Sequence, residues 1–370
     1  MPEYLDEREG RIDRYAQAPD SAQAADDAAT VEEPAAERGS EPSLERAADG
    51  LPAQPLVSVI ITTYRRTAYL REAIASALRQ SYQSLEIIVS DDGEGDEVEG
   101  LVASFGDPRL RYRRNPERLG VAGNTLVASL EARGEYVAYL NDDDAWEAHF
   151  VATLLPPLEA DPELSVAFAD HHVMTAEGVI QSSLSERNSR LWGRDTLRPG
   201  VHRPFCRLAL LKKSVPMVMA ALIRRSAIEW DDFPPEVGPG YDLWLAYLAC
   251  RTGLGAYYEA QRLTRYRAHP QGQTSSARIA HSQGVVYCYG RFLADPRLGE
   301  LRTELVRKHA EALAGHSAAL LRQRPGREAR HAALAAFQAG PSGRTLAGLL
   351  VSLLPVSLAR AAMTTTRSGD

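Results

Sequence analysis

Hydrophobic residues in this chain fall into short unbroken blocks that alternate with segments of helical period, and the first block starts abruptly at Leu56. Leu56-Val57-Ser58-Val59-Ile60-Ile61 alternates too little for a half-exposed strand and predicts one buried on both faces, ending at Thr62-Thr63-Tyr64. Leu70, Ile74, Leu78 and Tyr82 then recur at four-residue steps, as on one face of a helix. The alternation continues with a strand at Leu85–Val89 that ends at Ser90-Asp91-Asp92-Gly93, then a helix from Glu97 to Phe105 and a short strand at Leu110–Tyr112. A glycine-bounded helix from Val121 to Glu131 leads into a buried strand at Tyr136–Leu140. Strands separated by helices require parallel crossovers, so the predicted fold class is α/β, a doubly wound, mostly parallel sheet with flanking helices.

Downstream, Phe150, Leu154, Leu155 and Leu158 predict a helix and Leu164–Phe168 a strand. Residues 186–213 read as irregular and carry Arg187, Arg190, Arg194, Arg198, Arg203, Arg207, Lys212 and Lys213 against two acids. A solvated loop and a flap over an anionic ligand both fit that composition. Val218–Ile223 resumes a buried strand, and Gly238-Pro239-Gly240-Tyr241-Asp242-Leu243-Trp244-Leu245 opens a helix with Asp242 in its first turn, where the helix dipole favours an acid. A short strand near Tyr257 precedes Leu263–Pro270, and from Ala277 the pattern is helical, with Leu301, Leu305, His309, Leu313 and Leu320 on one face. Leu346–Leu358 is strongly apolar, interrupted by Pro355 and followed by Arg360. It is too short to span a bilayer; it fits either the surface of an anionic membrane or packing on the main domain.

Charge adds an asymmetry that the net value of −7 conceals. Residues 1–50 hold 14 acidic and 5 basic residues, whereas residues 271–370 hold 6 acidic and 13 basic ones. The balance is not that of a nucleic-acid-binding chain. Residues 1–53, rich in Ala, Asp, Glu, Ser and Pro, cannot bury enough apolar area to offset their ordering entropy and are expected to be disordered. Cys206, Cys250 and Cys288 show neither a disulfide framework nor zinc spacing, which fits a reducing compartment. With no basic start followed by an apolar run and no stretch of ~18 apolar residues, the expected location is cytoplasmic.

Candidate chemistry collects at one sheet edge. Ligands of doubly wound sheets bind beyond the carboxyl ends of the strands, and Thr62, Asp92 and the run Asp142-Asp143-Asp144 all fall there. Adjacent carboxylates at the end of a buried strand repel one another and are costly unless a cation neutralises them. Oxygen ligands suit Mg²⁺ or Mn²⁺ shared with a phosphate. The competing reading is a solvated acidic turn.

In the order and spacing of these pieces, the chain resembles the family 2 glycosyltransferases, nucleotide-sugar-dependent enzymes of the GT-A fold, over roughly Pro55 to Ser276. The resemblance rests on Val57–Tyr64, Ile88-Val89-Ser90-Asp91-Asp92-Gly93, Gly134-Glu135-Tyr136 leading to Asn141-Asp142-Asp143-Asp144, Tyr241-Asp242 and Tyr266-Arg267-Ala268-His269. It implies that Thr62 and Tyr64 line the nucleotide pocket, that Asp92 bonds the base and that Asp142 lies on the ribose or metal side. It implies further that Asp143 is the main metal ligand of a DXD motif, with Asp144 and His269 as additional metal-side candidates, and that Asp242 is the general base. Asn141 stands where the family often has Asp, and Ala122-Gly123-Asn124 lacks the Arg common there, so a cation near the base or phosphate has to come from Arg65, Arg118 or the basic loop.

The implied organisation is an acidic tail (1–53), a GT-A domain (54–276) and a helical C-terminal extension (277–370). The domain divides into a nucleotide-binding half (54–145) and an acceptor half (146–276). The implied activity is inverting transfer of a sugar from a nucleoside-diphosphate sugar, a UDP-type donor favoured, to a hydroxyl acceptor in cell-surface polysaccharide, glycolipid or glycosylated-metabolite synthesis. Mn²⁺ or Mg²⁺ would assist, with the enzyme in the cytoplasm or peripheral at the inner face of the membrane. Two rivals share the acids and the fold class: a nucleotidyltransferase, and a catalytically silent nucleotide-sugar-binding scaffold.

Overall fold

A computed structural model describes residues 54–230, 232–269 and 278–359. The expected acidic tail, Pro270 to Ser276 and Arg360 lie outside the described residues.

The apolar blocks are strands because each feeds two layers at once. In β1 (Val57–Thr63), Val57, Val59 and Ile61 enter one apolar layer with α1 (Leu70–Leu78) and α4 (Phe150–Ala160). Ile60 enters the opposite layer with α3 (Gly120–Glu131) and α6 (Tyr241–Cys250). In β4 (Tyr136–Asn141), Tyr136, Ala138 and Leu140 join the first layer and Val137 and Tyr139 the second. Side chains still alternate, but both faces are covered, so both sets are apolar. The remaining elements of this half are β2 (Leu85–Asp91), α2 (Glu97–Ala103) and β3 (Leu110–Arg114).

The expected α/β class holds. β1, β2, β3 and β4 are mutually parallel, with Val57 opposite both Leu85 and Tyr136. The second half adds β5 (Ala145–Trp146), β6 (Leu164–Met174), α5 (Ser182–Leu191), β7 (Gly200–His202), β8 (Ala221–Arg224) and β9 (Gly255–Arg267). Among the described residues nine strands form one sheet in the order β3-β2-β1-β4-β8-β6-β9-β5, with β7 paired on β9. β8 is antiparallel to β4 and β6, and β5 and β7 are antiparallel to β9; the other strands share one direction.

The second half departs from the sequence pattern in three places. β6 runs on to Met174 instead of ending at Phe168, and β9 is a 13-residue strand instead of a short one near Tyr257. Their polar residues are satisfied by distant partners that hydropathy does not register. Asp170 accepts from Arg194 Nε at 2.7 Å, and Arg265 Nε donates to Glu147 Oε1 at 2.7 Å. Nor are residues 186–213 irregular, since they contain the end of α5, β7 and a π-helical turn over Arg207–Lys212. Several of their cations are committed to surface or buried ion pairs, Arg194 with Asp170, Arg203 with Asp161 and Glu163, and Arg207 with Glu304.

Four helices follow, α7 (Arg278–Ala294), α8 (Arg302–Gln323), α9 (Arg327–Ala339) and α10 (Gly343–Ser352). Among the described residues no helix is long and apolar enough to cross a membrane. Leu346, Leu350, Leu353, Leu354, Val356 and Leu358 are exposed. α7 lies against the turn Pro235–Gly240 that aims the start of α6, and Gly284 makes this approach possible: a Cβ there would sit 2.2 Å from the Val237 carbonyl oxygen. The Gly284→Ala variant is therefore expected to lose about 1–3 kcal/mol through overpacking, read by urea denaturation. Unchanged stability would show that α7 is free to shift away from the turn.

Candidate functional site

The carboxyl ends of β1, β2 and β4 border a cleft of about 280 Å³. Its floor is set where the chain leaves β1. Arg65 adopts a left-handed backbone (φ 52°), which leaves its own side chain exposed beside Glu94 and lets Arg66 turn inward. Arg66 Nη2 reaches Asp142 Oδ1 at 2.6 Å, and Arg66 Nη1 reaches Asp143 Oδ2 at 2.8 Å. Thr63 Oγ1 donates to the other oxygen of Asp142 at 2.8 Å. Burial still dominates at Asp142 and raises its pKa to about 7.

The three consecutive acids point in different directions. Asp142 and Asp143 line the cleft, and Asp143 Oδ2 also meets His269 Nε2 at 3.0 Å. Asp144 is wholly buried: its oxygens accept from the Arg267 backbone N–H and from Asn141 Nδ2, each at 2.8 Å. Burial pushes the Asp144 carboxyl well above its ordinary range. Expected beside the metal, Asp144 instead fastens the acidic turn to β9. The reason is local: Asn141 and Asp144 close one tight turn, with Asp144 N donating to Asn141 O at 3.2 Å, which aims the last acid back into the protein.

Asp92 lines the cleft as expected, but three donors already hold it. Asp92 Oδ1 accepts from Leu119 N and Asn115 Nδ2, and Oδ2 from Gly120 N, all at 2.8 Å. Two of these are the leading amides of α3, so the acid sits on the positive end of the helix. Buried Asn124 fixes the same corner, accepting from Asn115 Nδ2 at 2.9 Å and donating to Ser90 O at 2.9 Å. Thr62 and Tyr64 complete this wall; the Tyr64 ring lies 4.4 Å from the Arg118 guanidinium and 5.2 Å from that of Arg65. The basic residues of 186–213 are absent from this cleft's lining among the described residues, whereas Arg66 and Arg118 are present.

Asp242 faces the cleft from the opposite, helical layer. α6 is buried at every position but this one, so Asp242 is an exposed carboxylate on an otherwise internal helix. Its Oδ1 accepts from Leu243 N at 2.7 Å. Sequence reasoning missed Arg66, although the pair Arg65-Arg66 was visible; which of the two turned inward depended on a backbone angle.

A divalent cation needs oxygen or nitrogen ligands gathered around one point. Among the described residues no group of three or more His, Cys, Asp or Glu side chains surrounds a common point. Asp143 Oδ2 and His269 Nε2 meet at 3.0 Å and offer an oxygen and a nitrogen, although His269 is not among the residues lining the cleft and its unpartnered nitrogen is Nδ1, not the one facing Asp143. Such a pair fits a cation whose remaining ligands come from a phosphate. Asp144→Ala is expected to cost about 1–3 kcal/mol of stability by leaving the Arg267 amide unpaired, with Asp143→Ala costing less; chemical denaturation of both variants decides between a structural and a ligand-facing acid.

The profile of Glycosyl transferase family 2 matches residues 58–228. An uncharacterized glycosyltransferase of Rickettsia typhi is 27% identical over 226 residues, covering 60% of this chain and 67% of that protein. Matches to relatives in Rickettsia prowazekii and Rickettsia felis span only 28% and 15% of those proteins. The UDP-Glc:alpha-D-GlcNAc-diphosphoundecaprenol beta-1,3-glucosyltransferase of Escherichia coli is 24% identical over 217 residues, 58% of this chain and 78% of that one. Among solved structures, S. aureus TarS 1-349 in complex with UDP-GlcNAc superposes with a TM-score of 0.58 at 16% identity, covering 85% of this chain and 92% of TarS 1-349, a likeness of fold.

Proposed function

Taking as premise that the chain belongs to the family 2 glycosyltransferases, we propose that it is an inverting enzyme that moves a sugar from a UDP-type donor to a hydroxyl acceptor. The observation that carries this reading is the placement of Asp242, the one exposed residue of α6, in the same cleft as Asp142 and Asp143. A donor diphosphate against the acidic turn and an acceptor before Asp242 would put the reacting carbon between two functional groups. Acceptors of the lipid-linked kind are supported by the printed specificity of the E. coli relative, and a UDP donor by the UDP-GlcNAc complex of TarS.

In this reading Thr62, Tyr64 and Asp92 receive the nucleoside. Asp92, held at the start of α3 by three donors, keeps acceptor capacity on Oδ2 for a base N–H. Asp142 faces the ribose side, and Asp143 with His269 would hold a divalent cation, Mn²⁺ or Mg²⁺. When bound, that cation supplies charge neutralisation for the departing diphosphate. Arg66 keeps the acids compensated in the protein as it stands and turns toward the phosphates when the donor enters. Asp242 takes the proton of the acceptor hydroxyl as it attacks the face opposite the leaving group, which inverts the anomeric centre.

Residues 54–276 would form the catalytic domain and the following helices an extension. The exposed Leu346 and Leu350 of α10, with Arg344 in its first turn and Arg330 bonded to Ser352 O at its end, support contact with an anionic membrane at its inner face.

Two measurements test the assignment. Asp242→Asn should lower transfer by a factor of about 10²–10⁴, the usual range for a lost general base, while UDP still raises the melting temperature. Near-normal turnover would remove Asp242 from the mechanism. UDP with Mn²⁺ should stabilise the wild-type chain more than UDP with chelator, and Asp143→Ala should abolish the difference. No shift with any nucleoside diphosphate would remove the nucleotide-sugar reading of this cleft, whereas a shift without sugar transfer would favour the silent scaffold.

A further inference from the structure

A second pocket, of about 430 Å³, opens between the end of α5, the π-helical turn and α8. Arg190, Lys212, Lys213 and Lys308 line it together with Leu191 and Trp192, and no carboxylate is among its lining residues. Two of these cations are neutralised at the rim, Lys308 by Glu311 at 2.9 Å and Arg190 by Glu186 at 4.0 Å. Among the described residues, Lys212 and Lys213 make no ion pair or side-chain hydrogen bond. Lys213 is also held in a left-handed backbone (φ 54°, ψ 35°), and its ammonium lies 5.8 Å from the Tyr289 ring. Such a conformation at a residue other than Gly or Asn is unfavourable and persists where the surroundings impose it. Here it ends the π-helical turn, and Ser214 Oγ, donating to Trp192 O at 2.6 Å, ties that turn to the end of α5.

A concave wall that gathers Lys212, Lys213 and Lys308, two of them without an ion pair among the described residues, and that carries no carboxylate has the charge of an anion site. We propose that this pocket binds a phosphate or diphosphate group of the acceptor, held by Lys212, Lys213 and Lys308. Resting on the glycosyltransferase reading of the neighbouring cleft, this assigns the acceptor's chemical class. Lys213 connects the two sites, because Asp242 is the strongest of the charges acting on it. Burial lowers the Lys213 pKa from the usual lysine value, and a bound phosphate would restore the charged form. Leu191, 70% exposed at the rim, gives an apolar tail attached to the phosphate a place to lie.

The test is calorimetric titration of the full chain with inorganic pyrophosphate, in chelator and with UDP saturating the donor cleft. The wild type is expected to bind, and Lys213→Met to weaken binding tenfold or more. Should Lys213→Met fail to fold, the double variant Lys212→Gln with Lys308→Gln, on the exposed side of the pocket, carries the same test with the same expected loss. Absence of binding, abolition by UDP, or affinity within twofold of wild type in these variants would overturn the proposal. Farnesyl diphosphate in a parallel titration separates the sources: tenfold tighter binding than pyrophosphate supports a lipid-linked phosphate, and equal affinity supports a soluble one. The donor reading is judged separately, by the UDP-induced thermal shift of the wild type, so either reading can fail while the other stands.

Discussion

Everything at the functional end of this protein hangs on how the acidic turn after β4 is neutralised. Three consecutive carboxylates at the mouth of a buried strand are unstable neighbours; one arginine offsets their charge and a second fastens the turn in place. Arg66 compensates Asp142 and Asp143 from the β1 side. Arg267, at the end of β9, donates its backbone N–H to Asp144, its Nε to Asp143 O at 2.7 Å and its Nη1 to Ala176 O at 2.9 Å, and pairs with Glu72 on α1. One buried side chain thereby ties β4, β9, α1 and the loop after β6 to a single point. Removing Arg66 leaves the buried Asp142 carboxylate without its partner, a larger penalty than the net gain of making such a pair.

That arrangement accounts for the asymmetry of the site. The Arg267 side is closed, with every donor committed, and acts as scaffold. The Arg66 side is open to the cleft and holds its acids with a cation that a ligand can displace. Asp92 shows the same economy, since the amides that start α3 fix its orientation before any ligand arrives. A site of this kind needs little reorganisation on binding, because its polar groups are already aimed by secondary structure.

The legible part of the fold was the part governed by local pattern. β1, β2 and β4 were visible because strands covered on both faces lack polar positions. β9 was not, because Arg262, Arg265 and Arg267 break its hydropathy and only partners such as Glu147 and Asp143 make them compatible with a strand. Residues 186–213 looked irregular for the same reason; Arg194 reads as a solvated cation until Asp170 is placed beside it. Within the site, the sequence marked Thr62, Tyr64, Asp92, Asp142, Asp143 and Asp242, and these six do line one cleft. It put Asp144 with them, and the tight turn through Asn141 sent that carboxylate inward.

What the sequence determined by itself is the α/β class, the resemblance to one family and the edge of the sheet where the chemistry gathers. Those follow from apolar blocks, helical periods and motif spacing, all of which are local along the chain. Only the tertiary structure decided which of two adjacent arginines faces the acids, which of three acids faces the cleft, and that Lys212, Lys213 and Lys308 share a wall. The physical reason is that side-chain direction depends on single backbone angles, such as φ 52° at Arg65 and φ 54° at Lys213, and on charges brought together from distant parts of the chain. Neither leaves a periodic trace in the order of the residues.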